Sequence, residues 1–288
     1  MARSVTVGVD GSPESLSAVE WAAGEAVVRR QALRVLHVWS AAPSPHASPH
    51  TADSRRDWGR SVLREAVRRA EARFPGLDVA AEQQPGSAAE VLLGAAREAD
   101  LLVLGSRGLG AVAGFLVGSV ALSVVAAAPC PVALVRADSP VPDGSDPRDV
   151  VLGVDLGHGT DALFAYAFEA ARARDCGLTV VHAYPVPAPY GIAPGESLAA
   201  TTPDLFAERY ERLLDALRPW QGKNPDIDVR PVAEPGHAAP VVLDAARGAS
   251  LCVIGRRIRA HGPGPHLGAV DHGVMHHAAC PVVVVPHA

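Results

Sequence analysis

The sequence predicts an α/β protein made of two tandem, doubly wound parallel-sheet domains. Three observations carry this. Short apolar runs of strand length alternate with amphipathic helical stretches, which implies crossover connections and a parallel sheet covered on both faces. The landmarks of the first half return in the same order in the second. Between the halves, Arg136 to Asp149 (RADSPVPDGSDPRD) reads as a Pro/Asp/Ser linker. The expected domains are 1–137 and 149–288, joined by a linker at 138–148.

Each element of the first half has a local cause. Val5 to Val9 (VTVGV) reads as a strand ending on Asp10-Gly11. Ser12-Pro13 with Ser15 is a helix start, because proline suits the first turn and a hydroxyl caps it. The helix to about Arg30 carries Leu16, Val19, Ala22, Ala23 and Val27 on one face. Leu33 to Trp39 (LRVLHVW) is the second strand, and Ser40 to Thr51, rich in Ser, Pro and His, is a loop. An Arg-rich amphipathic helix from about Asp53 to Phe74 comes next. It is followed by a strand near Leu77 to Glu82, a short helix from Ser87 to Glu98 and the apolar run Leu101 to Leu104. A helix from Ser119 and a strand, Pro131 to Val135, close the half.

The second half then repeats the first. Gly153-Val154-Asp155 matches Gly8-Val9-Asp10, and His182 stands 145 residues after His37. Glu234-Pro235-Gly236 matches Gln84-Pro85-Gly86, LCVIG ending at Gly255 matches the run ending at Gly105, and Cys280 stands 150 residues after Cys130. Chance does not keep five landmarks in order at so steady an offset. The chain is a tandem duplication.

Composition excludes several roles. At 288 residues each half can build its own core, and with only 5% aromatic residues those cores are expected to be aliphatic. A net charge of -5 gives no reason to expect nucleic acid or an anionic membrane as partner. The chain reaches a strand within a few residues of Met1, and no apolar run approaches the roughly 20 residues that span a bilayer. A cytoplasmic protein is expected. The four cysteines show no CxxC spacing, and Cys130 and Cys280 read as inert core thiols.

Leu101 to Ser119 (LLVLGSRGLGAVAGFLVGS) is the stretch with chemistry in it. Gly105, Gly108 and Gly110 follow the strand, and Gly118-Ser119 opens the next helix. Glycines there let backbone N–H groups approach a ligand, and a helix start adds unpaired N–H groups and a favourable dipole. These are the parts of a phosphate cradle. The spacing G-x2-G-x9-G-S is neither a Walker A loop nor the dinucleotide fingerprint.

That spacing, the opening V-D-G-S and the duplicated order of elements resemble a tandem universal stress protein over nearly the whole chain outside the linker. The resemblance implies Rossmann-like or flavodoxin-like domains with strand order 3-2-1-4-5. In that order the first and fourth strands diverge, so the loops after Asp10 and Gly105 face one crevice. The resemblance implies ATP in that crevice and leaves open whether Mg²⁺ accompanies it. Gly8, Val9 and Asp10 would line the adenosine side, Val38 would meet the adenine edge, and Gly105, Arg107, Gly108 and Gly110 would wrap ribose and phosphates. Gly118, Ser119 and Val120 would complete the cradle. The resemblance also implies that the terminal strands pair the two halves into an intrachain pseudo-dimer, with a homodimer as a further step.

The second half keeps Gly153, Asp155, Gly255, Arg257 and Gly268 as candidate positions but departs from the pattern: Ile258 replaces Gly108, and Ala269 replaces Ser119. Against those losses, Arg256, Arg257 and Arg259 make its loop more basic. The expectation is one ATP site in the first half and a weaker or absent one in the second. His272 and His276, at i,i+4, lack a third ligand for a metal, and His37 and His182 read as hydrogen-bonded structural histidines. No nucleophile elbow or acid–base pair is visible, so the cradle suits holding ATP better than cleaving it. The alternatives are slow ATP hydrolysis or nucleotidyl transfer, and a nucleotide-free interaction module.

Overall fold

A computed structural model of the chain describes residues 4–39, 49–106, 117–142, 148–185, 198–258 and 267–288. The first half runs β1 (Ser4–Val9), α1 (Pro13–Arg29), β2 (Leu33–Trp39), α2 (Pro49–Arg73), β3 (Val79–Pro85), α3 (Ala88–Ala95), β4 (Ala99–Gly105), α4 (Ser119–Ala127) and β5 (Val132–Val135). The second runs β6 (Val150–Gly153), α5 (Asp161–Arg174), β7 (Leu178–Tyr184), α6 (Leu198–Lys223), β8 (Val229–Pro235), α7 (Ala238–Ala245), β9 (Leu251–Arg257), α8 (Ala269–His277) and β10 (Val282–His287).

The described strands form one sheet in the order β3-β2-β1-β4-β5-β10-β9-β6-β7-β8, which is 3-2-1-4-5 in each half. Every pairing is parallel except that of β5 with β10, where Ala133 lies opposite Val283. Those two residues are equivalents 150 apart, so a pseudo-twofold axis passes through that rung. Each fifth strand covers the other's open edge. A homodimer would therefore have to use a different surface.

Strand alternation divides the core into two layers. Val5, Val7, Leu101 and Val103 point to the α1, α2, α5, α6 side, with Trp21, Phe164 and Phe168 filling it. Leu102, Leu104, Val132 and Leu134 point to the α3, α4, α7, α8 side. Most of both layers is Val, Leu and Ala.

Several boundaries differ from the sequence expectation: α2 begins at Pro49 rather than about Asp53, so Pro49 to Thr51 belong to the helix and not to the loop, and β4 begins at Ala99 rather than Leu101. The third strand lies at Val79–Pro85, two to three residues later, because pairing with β2 (Leu33 to Val79 through Trp39 to Pro85) sets its register. Its sequence, VAAEQQP, carries too weak an apolar signal to locate it. The α3 helix stops at Ala95, where Arg97 and Glu98 close back onto Gly94 and Ala95 as turns.

The repeated histidines also diverge. His182 Nδ1–H donates to the Val154 carbonyl at 3.1 Å, so its expected role holds. The buried Nδ1 of His37 has no hydrogen-bond partner among the described residues, and its ring meets Trp58 edge-on at 5.6 Å. Burial pulls His37 below the ordinary 6.5. Trp58 packs on this ring.

Cys130 and Cys280 are buried free thiols that desolvation pushes up to about 11, and Cys252 is raised by the same cause. Alkylation of the native protein at pH 8, mapped by mass spectrometry, is expected to leave all three unmodified. Among the described residues no helix is long and apolar enough to cross a membrane.

Candidate functional site

The site begins with a turn. Asp10 Oδ1 accepts the Ser12 N–H at 3.0 Å and the Ser12 hydroxyl at 2.6 Å, forming an Asx turn at the end of β1. Ser12 in turn caps α1 by accepting the Ser15 N–H at 3.2 Å, and Ser15 Oγ accepts the Asp10 N–H at 3.3 Å. This network seats the first turn of α1 directly against the end of β4. A Cβ on Gly105 would lie 2.8 Å from the backbone of Glu14 and Ser15, so only glycine lets the two elements approach this closely.

Across the carboxyl ends of β1 and β4 lies a cavity of about 240 Å³. Gly8, Val9, Asp10, Val38, Gly105, Gly118, Ser119 and Val120 all border it, drawn together from four separate segments of the chain. It sits at the point where strand order reverses, the usual place for a ligand in such sheets. Arg107, Gly108 and Gly110 lie outside the described residues.

Gly118 is the N-cap of α4, with φ −63° and ψ 155°, a conformation open to any residue. A Cβ there would meet nothing within 4 Å. No side chain caps this helix and no acid sits in its first turn, so its leading N–H groups face the cavity with their dipole uncompensated. The arrangement can hold an anion at the start of α4 and an apolar ring between Val38 and Leu92.

The second half has a cavity of about 410 Å³ in the equivalent place, bordered by Gly153, Asp155, Gly255, Arg257 and Gly268. Its contents differ. Asp155 Oδ1 accepts the Gly157 N–H at 2.9 Å, and Oδ2 accepts from His158 Nδ1 at 2.9 Å. Burial raises the Asp155 carboxyl, but the hydrogen bonds from Gly157 and His158 and the nearby imidazoles outweigh it and hold it below the ordinary range. The other His158 nitrogen accepts from Arg257. β10 runs two residues longer than β5 and brings His287 against Gly255, where its ring lies within 2.7 Å of a Cβ built there. His287 Nδ1–H donates to the Gly159 carbonyl at 2.9 Å.

Sequence reasoning missed Leu92, Ser12 and Ser15 in the first cavity and His158, Asp271 and His287 in the second. Ser12 and Ser15 had a signal in the V-D-G-S motif and the helix start it opens, and Asp271 had one in standing three residues after the helix-opening Gly268, the spacing of a capping box. His272 and His276 stack on each other at 6.0 Å on α8, and among the described residues no three potential ligands gather around a metal-sized space.

Comparison with known proteins follows the same division of the chain. The model of the universal stress protein family matches residues 1–136 and again residues 147–286. A universal stress protein of Mycobacterium tuberculosis is 35% identical, the match covering 97% of this chain and 94% of that one. A second from the same organism is 33% identical over 98% and 96%. The crystal structure of a universal stress protein from Archaeoglobus fulgidus shares the fold, with a TM-score of 0.73 over 99% of this chain and 98% of its own at 20% identity.

Proposed function

The chain belongs to the universal stress protein family, and from that premise we propose that its first half holds ATP as a regulatory ligand that biases conformation or assembly in a stress response. The observation that carries the reading is the space at Gly118. Neither its backbone angles nor any neighbouring atom requires glycine there, so what the missing side chain leaves open is room for a ligand at an uncapped helix start. Gly118, Ser119 and Val120 would take the phosphates, Gly8 and Val9 would line the adenosine, and Asp10 would read a hydroxyl or amine. ATP supplies a polyanion and a stacking base. The residues bind and orient them, and no step of bond breaking is assigned to them. The second half binds nucleotide weakly or not at all. We place the protein in the cytoplasm, where the buried thiols Cys130, Cys252 and Cys280 stay reduced.

The test is the nucleotide content of purified protein, denatured and resolved by anion exchange. ATP near one per chain is expected. Release of inorganic phosphate from added ATP would move the protein to slow hydrolysis. A chain that is empty and takes up no added ATP would be a nucleotide-free interaction module, and the reading would fall.

A further inference from the structure

Asp271 stands where the first half has Ala121, 150 residues earlier, in the first turn of α8. Its Oδ2 accepts the Gly268 N–H at 2.8 Å, and the residue is only 8% exposed. A Cβ on Gly268 would meet that same oxygen at 3.4 Å, whereas one on Gly118 meets nothing. At α8 a carboxylate of the chain itself occupies the space that α4 leaves open to the first cavity and takes up the Gly268 N–H at the helix start.

We propose that Asp271 is the specificity-determining residue that keeps phosphate-bearing ligands out of the second cavity, so that the chain holds one nucleotide and not two. This rests on the reading that phosphate seats at the start of α4. Room is not the obstacle, since the second cavity is the larger, about 410 Å³ against about 240 Å³. A shortage of basic groups is not the obstacle either. Arg257 and His158 border the cavity, but they are bonded to each other and through His158 to Asp155. Burial pushes the Asp271 carboxyl up, and the Gly268 N–H, His272, His287 and Arg256 offset part of that cost, so the basic groups nearby serve this carboxylate rather than inviting a second anion. A phosphate at this helix start would face a buried like charge at a few ångströms and would also have to displace it from the Gly268 N–H. The two departures visible in the sequence, Ile258 and Ala269, act less directly: one removes a glycine and the other a hydroxyl, and neither places a charge.

ATP titration of the full chain, read as stoichiometry and affinity, tests this with four variants. Wild type is expected to take one ATP. Asp271→Ala, which restores the first-half residue, is expected to take two. Asp271→Asn keeps an acceptor for the Gly268 N–H without the charge, and should tighten the second site at least tenfold even if the alanine variant folds poorly. Ala121→Asp should weaken the first site at least tenfold, while Ala269→Ser alone should leave the stoichiometry at one. The proposal is overturned if wild type takes two, if folded Asp271 variants gain nothing over wild type, if Ala269→Ser alone opens the second site, or if Ala121→Asp keeps full affinity. Should wild type take none, the first-half reading fails separately. Uptake by Asp271→Ala would then still support exclusion by this carboxylate, and no uptake by either variant would overturn it.

Discussion

Glu25→Ala is expected to lower folding stability by about 3–5 kcal/mol, measured from denaturant midpoints, because it strands two buried cations. Glu25 on α1 is fully buried and bonds Arg29 Nε at 2.6 Å and the Arg174 guanidinium of α5, with both arginine side chains at most 5% exposed. Arg29 also lies 5.0 Å over the Tyr166 ring and reaches Glu169 at 3.0 Å, so the cluster ties the two halves together. Burial pushes the Glu25 carboxyl up, but Arg174 and Arg29 outweigh it and hold it below the ordinary 4.5. A folded-state pKa below the unfolded one contributes stability above about pH 4.5 and loses it as pH falls through the folded value. Wild type should therefore show an acid limb of unfolding below pH 4.5 that is flatter in Glu25→Gln. A steep, unchanged limb in that variant would put the linkage elsewhere.

The cluster is also asymmetric in a way that can be tested. Arg29 and Arg174 are equivalents 145 residues apart, but the equivalent of Glu25 is Ala170. One acid at the pseudo-twofold axis serves both cations. Moving it across the axis, as Glu25→Ala with Ala170→Glu, should recover part of the stability lost in the single variant. Strictly additive losses would argue that the two positions do not share the site.

Gly105→Ala is expected to remove most ATP affinity, more than tenfold, and to cost about 1–3 kcal/mol of stability from overpacking. The added carbon would lie 2.8 Å from the Glu14 carbonyl and the Ser15 nitrogen, which are backbone and move only with the start of α1. That start carries the Ser12 cap and the Asp10 turn, so the whole adenosine side of the cavity shifts with it. Gly118→Ala is the control. It meets nothing within 4 Å at an unstrained φ, so its folding stability should change by less than about 1 kcal/mol. Two glycines of one motif thus separate into one that the fold needs and one that the ligand needs. Equal destabilisation by both would dissolve that distinction.

What the sequence determined by itself is whatever depends on neighbours along the chain. The α/β alternation, the duplication, the Ser12-Pro13 helix start and the glycine spacing are local patterns, so they predicted both halves and the segments that border the first cavity. The tertiary structure decided what depends on residues far apart meeting. The register of β3 came from β2, because a weak edge strand has no strong pattern of its own. The joining of Glu25 to Arg174 came from pairing the halves about Ala133 and Val283. His287 reaches Gly255 because β10 outruns β5 by two residues, and the Asp271 carboxylate lies at the second cavity because α8 turns its first turn inward. Charge and shape at a site are set by which side chains arrive there in space, and one-dimensional spacing records only those that arrive from the same stretch.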